Sequence, residues 1–350
     1  MDKKVMAVIV LIIIAVIGGG LFAYQSSSDQ NKTVLKIYHA GSLSALMNAT
    51  AKKFESEHPN VDVQLESYGS ADAIKQITDL NRSGDIVAVA DYGLIDKRMI
   101  PNYADWNLQF AKNEMVIVYS NKSKYSDQIN SQNWYQILEK SDVTFGFSDP
   151  NADPSGYRSV MMIQLAESYY NDSTIFDKLV ANNTAITSET NGTGYALKAP
   201  SNLNPTSKVM IRPKEVDLMQ SVESGSLDYL IIYKNVADQH KSSGVKYIEL
   251  PNKLQIRDTQ YESDYKKISL TQNSDTNKSK VVKLSPIVYG ITVVKNSSNY
   301  DLSVEFVKLL ISSEGTQLIK DTYQQPITPA IATNDSTNIP DALKSLVTQA

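Results

Sequence analysis

Hydrophobic residues along this chain fall into two alternating rhythms. Val34–Ala40 (VLKIYHA) is a short β-rich run, and the next apolar positions, Leu43, Leu46, Met47, Ala51 and Phe54, keep helical spacing until Pro59. VDVQLESY alternates strictly and predicts a strand. Ser70–Leu80 predicts a helix, and Asp85–Ala90 (DIVAVA) a strand buried on both faces. The rhythm repeats downstream. Strands are predicted at Glu114–Tyr119, Val143–Phe147, Asp228–Tyr233 and Val288–Val294, and helices at Asn133–Glu139, Tyr157–Tyr170, Glu215–Glu223 and Leu302–Ile319. Thr187–Pro205, rich in Asn, Gly and Pro, reads as a surface loop, and polar Asp258–Ser279 as a mobile excursion. Strands alternating with helices of this length predict βαβ units, an α/β class and mainly parallel sheets.

The first residues do not belong to that rhythm. Val5–Tyr24 is an uncharged run behind Lys3 and Lys4, followed by polar Gln25–Thr33. About 20 apolar residues suffice to span a bilayer, whereas a secretory core segment is usually 7–15. Residues 1–24 are therefore a long signal peptide or an uncleaved anchor, and 25–33 a linker. Positive charge on the short N-terminal side places the remainder outside the cytoplasm. Asn-x-Ser/Thr sequons begin at Asn31, Asn48, Asn81, Asn121, Asn171, Asn182, Asn191, Asn277, Asn296 and Asn334, and in an exported chain they mark exposed positions open to glycosylation.

Composition narrows the chemistry. The 350 residues contain no cysteine, which excludes disulfides, a thiolate metal site and a lipid-modified cysteine. Three histidines leave little room for a multi-histidine centre, and a net charge of −4 does not suit a nucleic-acid binder. Small and hydroxylic residues recur where a strand gives way to a helix: Gly41-Ser42, Gly69-Ser70 and Ser155-Gly156. Helix N-termini offer unpaired N–H groups and partial positive charge, so they hold anions without lysine or arginine. Each pair alone is an ordinary helix cap. Three in an α/β chain point to a ligand at the carboxyl ends of the strands. Asp149–Arg158 (DPNADPSGYR) combines turn residues with Asp153 and Ser155, RPKEV places Glu215 in a first helical turn, and Tyr233 ends DYLIIY. His39 reads as a satisfied strand-end histidine.

HAGSL, Gly69-Ser70, ADYGLI, QNWYQIL, DPNADPSGYRS, RPKEV, ESGSLDYLIIYKNVA and PIVYGITVVKN occur in an order that resembles the archaeal molybdate/tungstate-binding proteins of ABC importers. The resemblance runs from Val34 to the end. It implies a two-lobed fold of the periplasmic-binding-protein kind (type II), with 34–114 and 290–350 in one lobe and 115–289 in the other. Two crossing strands near Phe110–Tyr119 and Pro286–Val294 would form the hinge, with an oxyanion in the cleft. By position it implies Ser42 and Ser70 as donors from the first lobe, and the Ser155 amide and Tyr233 hydroxyl from the second. Relatives often carry cysteine where this chain has Ser155. Asp153 matches a carboxylate that reaches the metal atom. Glu215 is taken as the second: it precedes Tyr233 by 18 residues, the family's spacing, whereas Glu223 falls in the helix's last turn. The resemblance further implies a monomeric, non-enzymatic receptor without a cofactor, a permease partner, and membrane association through the N-terminal run if it is uncleaved.

The carboxylates carry a selectivity argument. Like charges 4 Å apart cost about 4 kcal/mol at an effective dielectric of 20, so two carboxylates repel a dianion. Sulfur and phosphorus cannot relieve this by taking more oxygen ligands in such a site. Tungsten(VI) and molybdenum(VI) can expand from four to six, turning repulsion into bonding. The same fold could instead hold sulfate, phosphate or ferric ion, although Tyr169-Tyr170 is the only adjacent tyrosine pair. An anchored hydrolase using Asp153 and Glu215 as acid and base, or a purely structural surface protein, are the other readings.

Overall fold

A computed structural model describes residues 32–350. The expected signal or anchor segment and nearly all of the linker lie outside them. Among the described residues no helix is long and apolar enough to cross a membrane. The chain makes three passes. The first forms β1 (Thr33–Ala40), β2 (Val61–Tyr68), β3 (Ile86–Val89) and β4 (Leu108–Lys112). The second forms β5 (Met115–Ser120), β6 (Phe145–Ser148), β7 (Thr187–Asn191), β8 (Gly194–Ala199), β9 (Val209–Arg212), β10 (Tyr229–Tyr233), β11 (Val245–Glu249), β12 (Ile268–Gln272) and β13 (Lys280–Lys283). The third returns with β14 (Val288–Val293), β15 (Gln325–Ala332) and β16 (Val347–Gln349).

The first and third passes share a sheet ordered β16-β15-β4-β14-β3-β1-β2, which with its helices forms one lobe. The middle pass builds the other lobe on a sheet β11-β5-β10-β6-β9 and a smaller sheet β13-β12-β8-β7. Both sheets of βαβ units are buried on two faces. Val87 and Val89 of β3 pack with Ile74, Leu94 and Ile95, while Ile86 and Ala88 face the main core. In β10, Leu230 and Ile232 pack under the 219–224 helix, while Tyr229, Ile231 and Tyr233 face the main core. This is why DIVAVA and DYLIIY read as unbroken apolar runs.

The expectation of mainly parallel sheets is corrected. β1 pairs in parallel with β2 and β3, and β6 with β9 and β10. β14 is antiparallel to β3 and β4, β15 to β4, and β5 to β10 and β11. A strand arriving from the opposite lobe enters at the carboxyl ends of the βαβ strands and runs against them. β14 and β5 are those arrivals, so the sheets are mixed.

Other expectations are also corrected. Thr187–Pro205 contains β7 and β8, and Asp258–Ser279 contains the Glu262–Tyr265 helix and β12; together with β13 they form the third sheet. The expected single helix Leu302–Ile319 is two helices, Tyr300–Ile311 and Ser313–Asp321. Ser312 is extended between them, and its hydroxyl accepts a bond from the Gly315 amide at 3.2 Å. The Asn of each of the nine sequons within the described residues is exposed.

Candidate functional site

The six expected site residues all lie at or just beyond the carboxyl end of a strand that runs in parallel with a neighbour. Ser42 follows β1, Ser70 follows β2, Asp153 and Ser155 follow β6, Glu215 follows β9, and Tyr233 ends β10. Each is at most 2% exposed. In a two-lobed α/β molecule these ends face each other, which is where ligands of open sheets gather.

Asp153 holds the second lobe's half of the site together. As the N-cap of the Pro154–Tyr170 helix, its Oδ1 accepts a long bond from the Ser155 amide at 3.4 Å. Its Oδ2 accepts the Glu215 amide at 3.1 Å, so one side chain ties the two helix starts together. Burial, and then the Glu215 charge beside it, push the Asp153 carboxyl well above the usual carboxylate range. Both carboxyl oxygens of Glu215 are buried without a hydrogen-bond partner. The Ser155 hydroxyl is likewise buried and unpaired, while that of Ser148 lies beside Asp153 and that of Ser42 beside Tyr289. A buried polar atom without a partner costs about 1–3 kcal/mol, more for a charge. Such groups are rare in native proteins and call for an explanation where they cluster. The Ser155 amide, expected to face an anion, is directed at Asp153; its hydroxyl is the unpaired group.

The first lobe closes over this half. A Cβ built on Gly41 would lie 3.6 Å from Glu215 Oε2. The Ala71 amide donates to the Ala152 carbonyl at 3.3 Å, and Asn235 Nδ2 donates to the Ser42 carbonyl at 2.7 Å. The Ser70 hydroxyl accepts the Ala90 amide at 3.0 Å, which leaves its own hydrogen available.

Residues that sequence reasoning left without a role complete the arrangement. Arg158, 1% exposed, donates from Nη1 to the Ala90 carbonyl at 2.8 Å and to the Tyr233 hydroxyl at 2.7 Å. Burial opposes its charge, but the hydrogen bond to Tyr233 and the Asp91 carboxylate 3.7 Å away hold it protonated. An arginine therefore does serve the site, from behind: it occupies the Tyr233 oxygen, leaving the phenolic hydrogen to donate forward. Tyr157 donates to Asp91 Oδ2 at 2.5 Å across the lobes. Asn113, on the first crossing, donates to Asn235 at 2.6 Å and to the Tyr289 hydroxyl on the second crossing at 2.7 Å, with Ser42 beside that phenol. Arg158 stood inside the DPNADPSGYR motif, but only its contact with Tyr233, 75 residues away, identifies its role.

The alternatives fare differently. The Tyr170 hydroxyl donates to the Ser131 carbonyl and accepts from the Trp134 indole, so it is occupied by packing. Glu223 meets His240 Nδ1 at 2.6 Å, a pairing separate from the Asp153–Glu215 cluster. Among the described residues no group of three or more His, Cys, Asp or Glu side chains could hold a metal by itself.

His39 is buried, with Nδ1 2.8 Å from the Ala40 carbonyl oxygen. Burial, with Lys214 nearby, lowers its pKa to about 4. A depressed histidine pKa makes the unfolded chain bind more protons between pH 4 and 6.5, so stability rises with pH there. Acidifying from pH 7 to 4 should cost about 3 kcal/mol through this residue, from about 1.36 kcal/mol per pKa unit. Urea unfolding of wild type and His39→Gln at both pH values checks it: the variant should lose less on acidification, and equal losses would contradict it.

The profile of the family described as bacterial extracellular solute-binding protein matches residues 35–323. This chain belongs to that family. Over 347 residues it is 45% identical to the molybdate/tungstate-binding protein WtpA of Pyrococcus abyssi, covering 97% of this chain and 96% of that protein. Among solved structures, the periplasmic molybdate-binding protein of Azotobacter vinelandii aligns with a TM-score of 0.57 at 14% identity, covering 83% of this chain and 98% of that one. The sulfate-binding protein SubI of Mycobacterium tuberculosis aligns with 0.58 at 13%, covering 91% and 94%. The fold is thus that of the two-lobed receptors of the solute-binding family. Because molybdate and sulfate receptors match it equally well, the fold alone does not choose the solute.

Proposed function

We propose that this chain is an extracytoplasmic receptor that binds tungstate or molybdate between its lobes and delivers it to the permease of an ABC importer. The observation that carries this reading is the buried Asp153–Glu215 pair, with both Glu215 oxygens unpaired and hydroxyl donors around it. Serine and tyrosine hydroxyls would hold the four oxo groups: Ser42 and Ser70 from one lobe, Ser155 and Tyr233 from the other. Asp153 and Glu215 would complete six-fold coordination of the metal atom. Sulfate and phosphate would meet the same two carboxylates and gain no bond from them. Similarity to a relative named for molybdate and tungstate supports this choice.

In this reading the lobes comprise 34–114 with 290–350, and 115–289. Residues 1–24 export the chain or tether it to the membrane, and the monomer binds and releases its cargo without turnover or a cofactor. A dianion contacting both lobes favours the closed form by its differential contacts. Calorimetry on the full chain in mild detergent should give tight binding of tungstate and molybdate and none of sulfate or phosphate. Sulfate binding as tight as tungstate would overturn the reading.

A further inference from the structure

Just outside the carboxylate cluster lies a second feature shared by the two lobes. It is a cavity of about 690 Å³ lined by Lys75, Asp79 and Arg98 from the first lobe and by Gln272, Lys278 and Lys280, among others, from the second. Four cations and one carboxylate, Asp79, line it, and the charges of Asp72 and Asp91 also reach Arg98. Lys75 is held by Asp72 at 2.6 Å, but Arg98, Lys278 and Lys280 form no ion pair with any described residue. Burial lowers the pKa of Lys280, the charges of Arg98 and Lys75 lower it further, and Asp79 opposes them in part. Burial also lowers that of Arg98, against the charges of Asp79, Asp91 and Asp72.

The cavity's position relative to the cluster is defined by its walls. Asn151, also in the lining, lies two residues before Asp153, in a turn pinned by Gln272 Nε2 to the Pro150 carbonyl at 2.6 Å and by Asn151 Oδ1 to the Asn273 amide at 2.8 Å. Lys75 lies on the Ser70–Thr78 helix, whose first residue is Ser70. The Ala71 to Ala152 hydrogen bond joins these two walls between the cavity and the cluster. Lobe closure therefore brings an excess of like charge from both lobes together, only partly offset by Asp79, and an anion among them would relieve the remainder. A chain of net charge −4, with two carboxylates at its cleft, would otherwise repel an approaching dianion, whereas a basic cleft raises its local concentration and on-rate.

We propose that the Lys75–Arg98–Lys278–Lys280 cavity is an anion-binding vestibule that takes a tetrahedral oxyanion from solvent without selecting among them and holds it at the edge of the carboxylate cluster. Its role as a path to that cluster rests on the tungstate/molybdate reading; its capacity to bind an anion does not. The third sheet supplies the second lobe's two cations, Lys280 from the start of β13 and Lys278 from the turn between β12 and β13.

Sulfate is the first probe, because the carboxylates would reject it. In full-length protein from a host that leaves Asn277 unglycosylated, sulfate should raise the unfolding temperature saturably over chloride at matched ionic strength. Arg98→Gln/Lys280→Gln should lose that rise, and Lys266→Gln/Lys344→Gln, which removes the same charge outside the cavity, should keep it. The second probe is tungstate, followed by stopped-flow tyrosine fluorescence at low salt. The cavity variant should slow association at least fivefold and leave dissociation unchanged. An equal response to sulfate in the cavity variant and wild type, including none in either, overturns the vestibule, as does an unchanged tungstate association rate. A sulfate effect lost in the variant, with no tungstate binding to wild type, keeps the anion cavity and overturns the functional reading instead.

Discussion

Glu215→Gln should weaken tungstate binding by at least about 100-fold and at the same time raise the unfolding temperature of the ligand-free protein. Removing a group that merely orients a metal ligand typically costs about 10–100-fold, and Glu215 is assigned a direct bond. The stability gain has a different origin. Both Glu215 oxygens are buried without a hydrogen-bond donor, so the side chain is taken out of water with nothing to offset it. A neutral amide of the same shape is less costly to bury than a carboxylate left without a partner. An expected gain of about 1–2 kcal/mol corresponds to roughly 2–8 °C for a chain with two lobes of ordinary size. Asp153→Ala should lose affinity as well, but stability in the opposite direction. Its oxygens receive the Ser155 and Glu215 amides, and loss of a helix cap costs about 1 kcal/mol. Calorimetry and thermal unfolding on the two variants separate these effects. If an Asp153→Ala/Glu215→Ala double variant kept its preference for tungstate over sulfate, expanded coordination would be the wrong explanation of selectivity.

The opposite stability effects follow from a distinction between residues that were legible in the sequence and contacts that were not. Ser42, Ser70 and Ser155 could be singled out because a small or hydroxylic residue at a strand-to-helix junction is a local signal. The doubly buried strands were legible for a similar reason, since DIVAVA and DYLIIY leave no polar face for solvent. Arg158 was not legible as a support for Tyr233, because the two meet only after β6 and β10 are paired. The network of Asn113, Asn235 and Tyr289 likewise draws on three distant segments that the crossings bring together. The third sheet escaped for a compositional reason. TSETN and KVVK lie at its edges with mostly exposed side chains, and β8 finds its parallel partner β12 some seventy residues later. Polar edge strands look like loops until their partners are known.

Gly69→Ala should leave the folded protein intact and yet lower tungstate affinity by about 10–100-fold. Gly69 has φ −64° and ψ 146°, a conformation open to any residue, so the substitution adds no backbone strain. The obstacle lies in the other lobe: a Cβ there would meet the Ala152 carbonyl oxygen at 2.6 Å and that of Pro213 at 3.2 Å. Both are backbone atoms and cannot swing aside like a flexible side chain. Overpacking of this kind costs about 1–3 kcal/mol, and here the cost falls on the closed form alone. If only the closed form binds tightly, apparent affinity falls with the fraction of protein able to close, at about 1.4 kcal/mol per factor of ten. Small-angle scattering supplies the decisive comparison. Tungstate should shrink the wild-type particle and shrink Gly69→Ala less, while denaturant unfolding without ligand gives matching midpoints. Full tungstate affinity in a variant that no longer closes would mean that one lobe holds the anion alone. Ser42 and Ser70 would then have no part in binding, and the carboxylates on the second lobe would carry both affinity and selectivity.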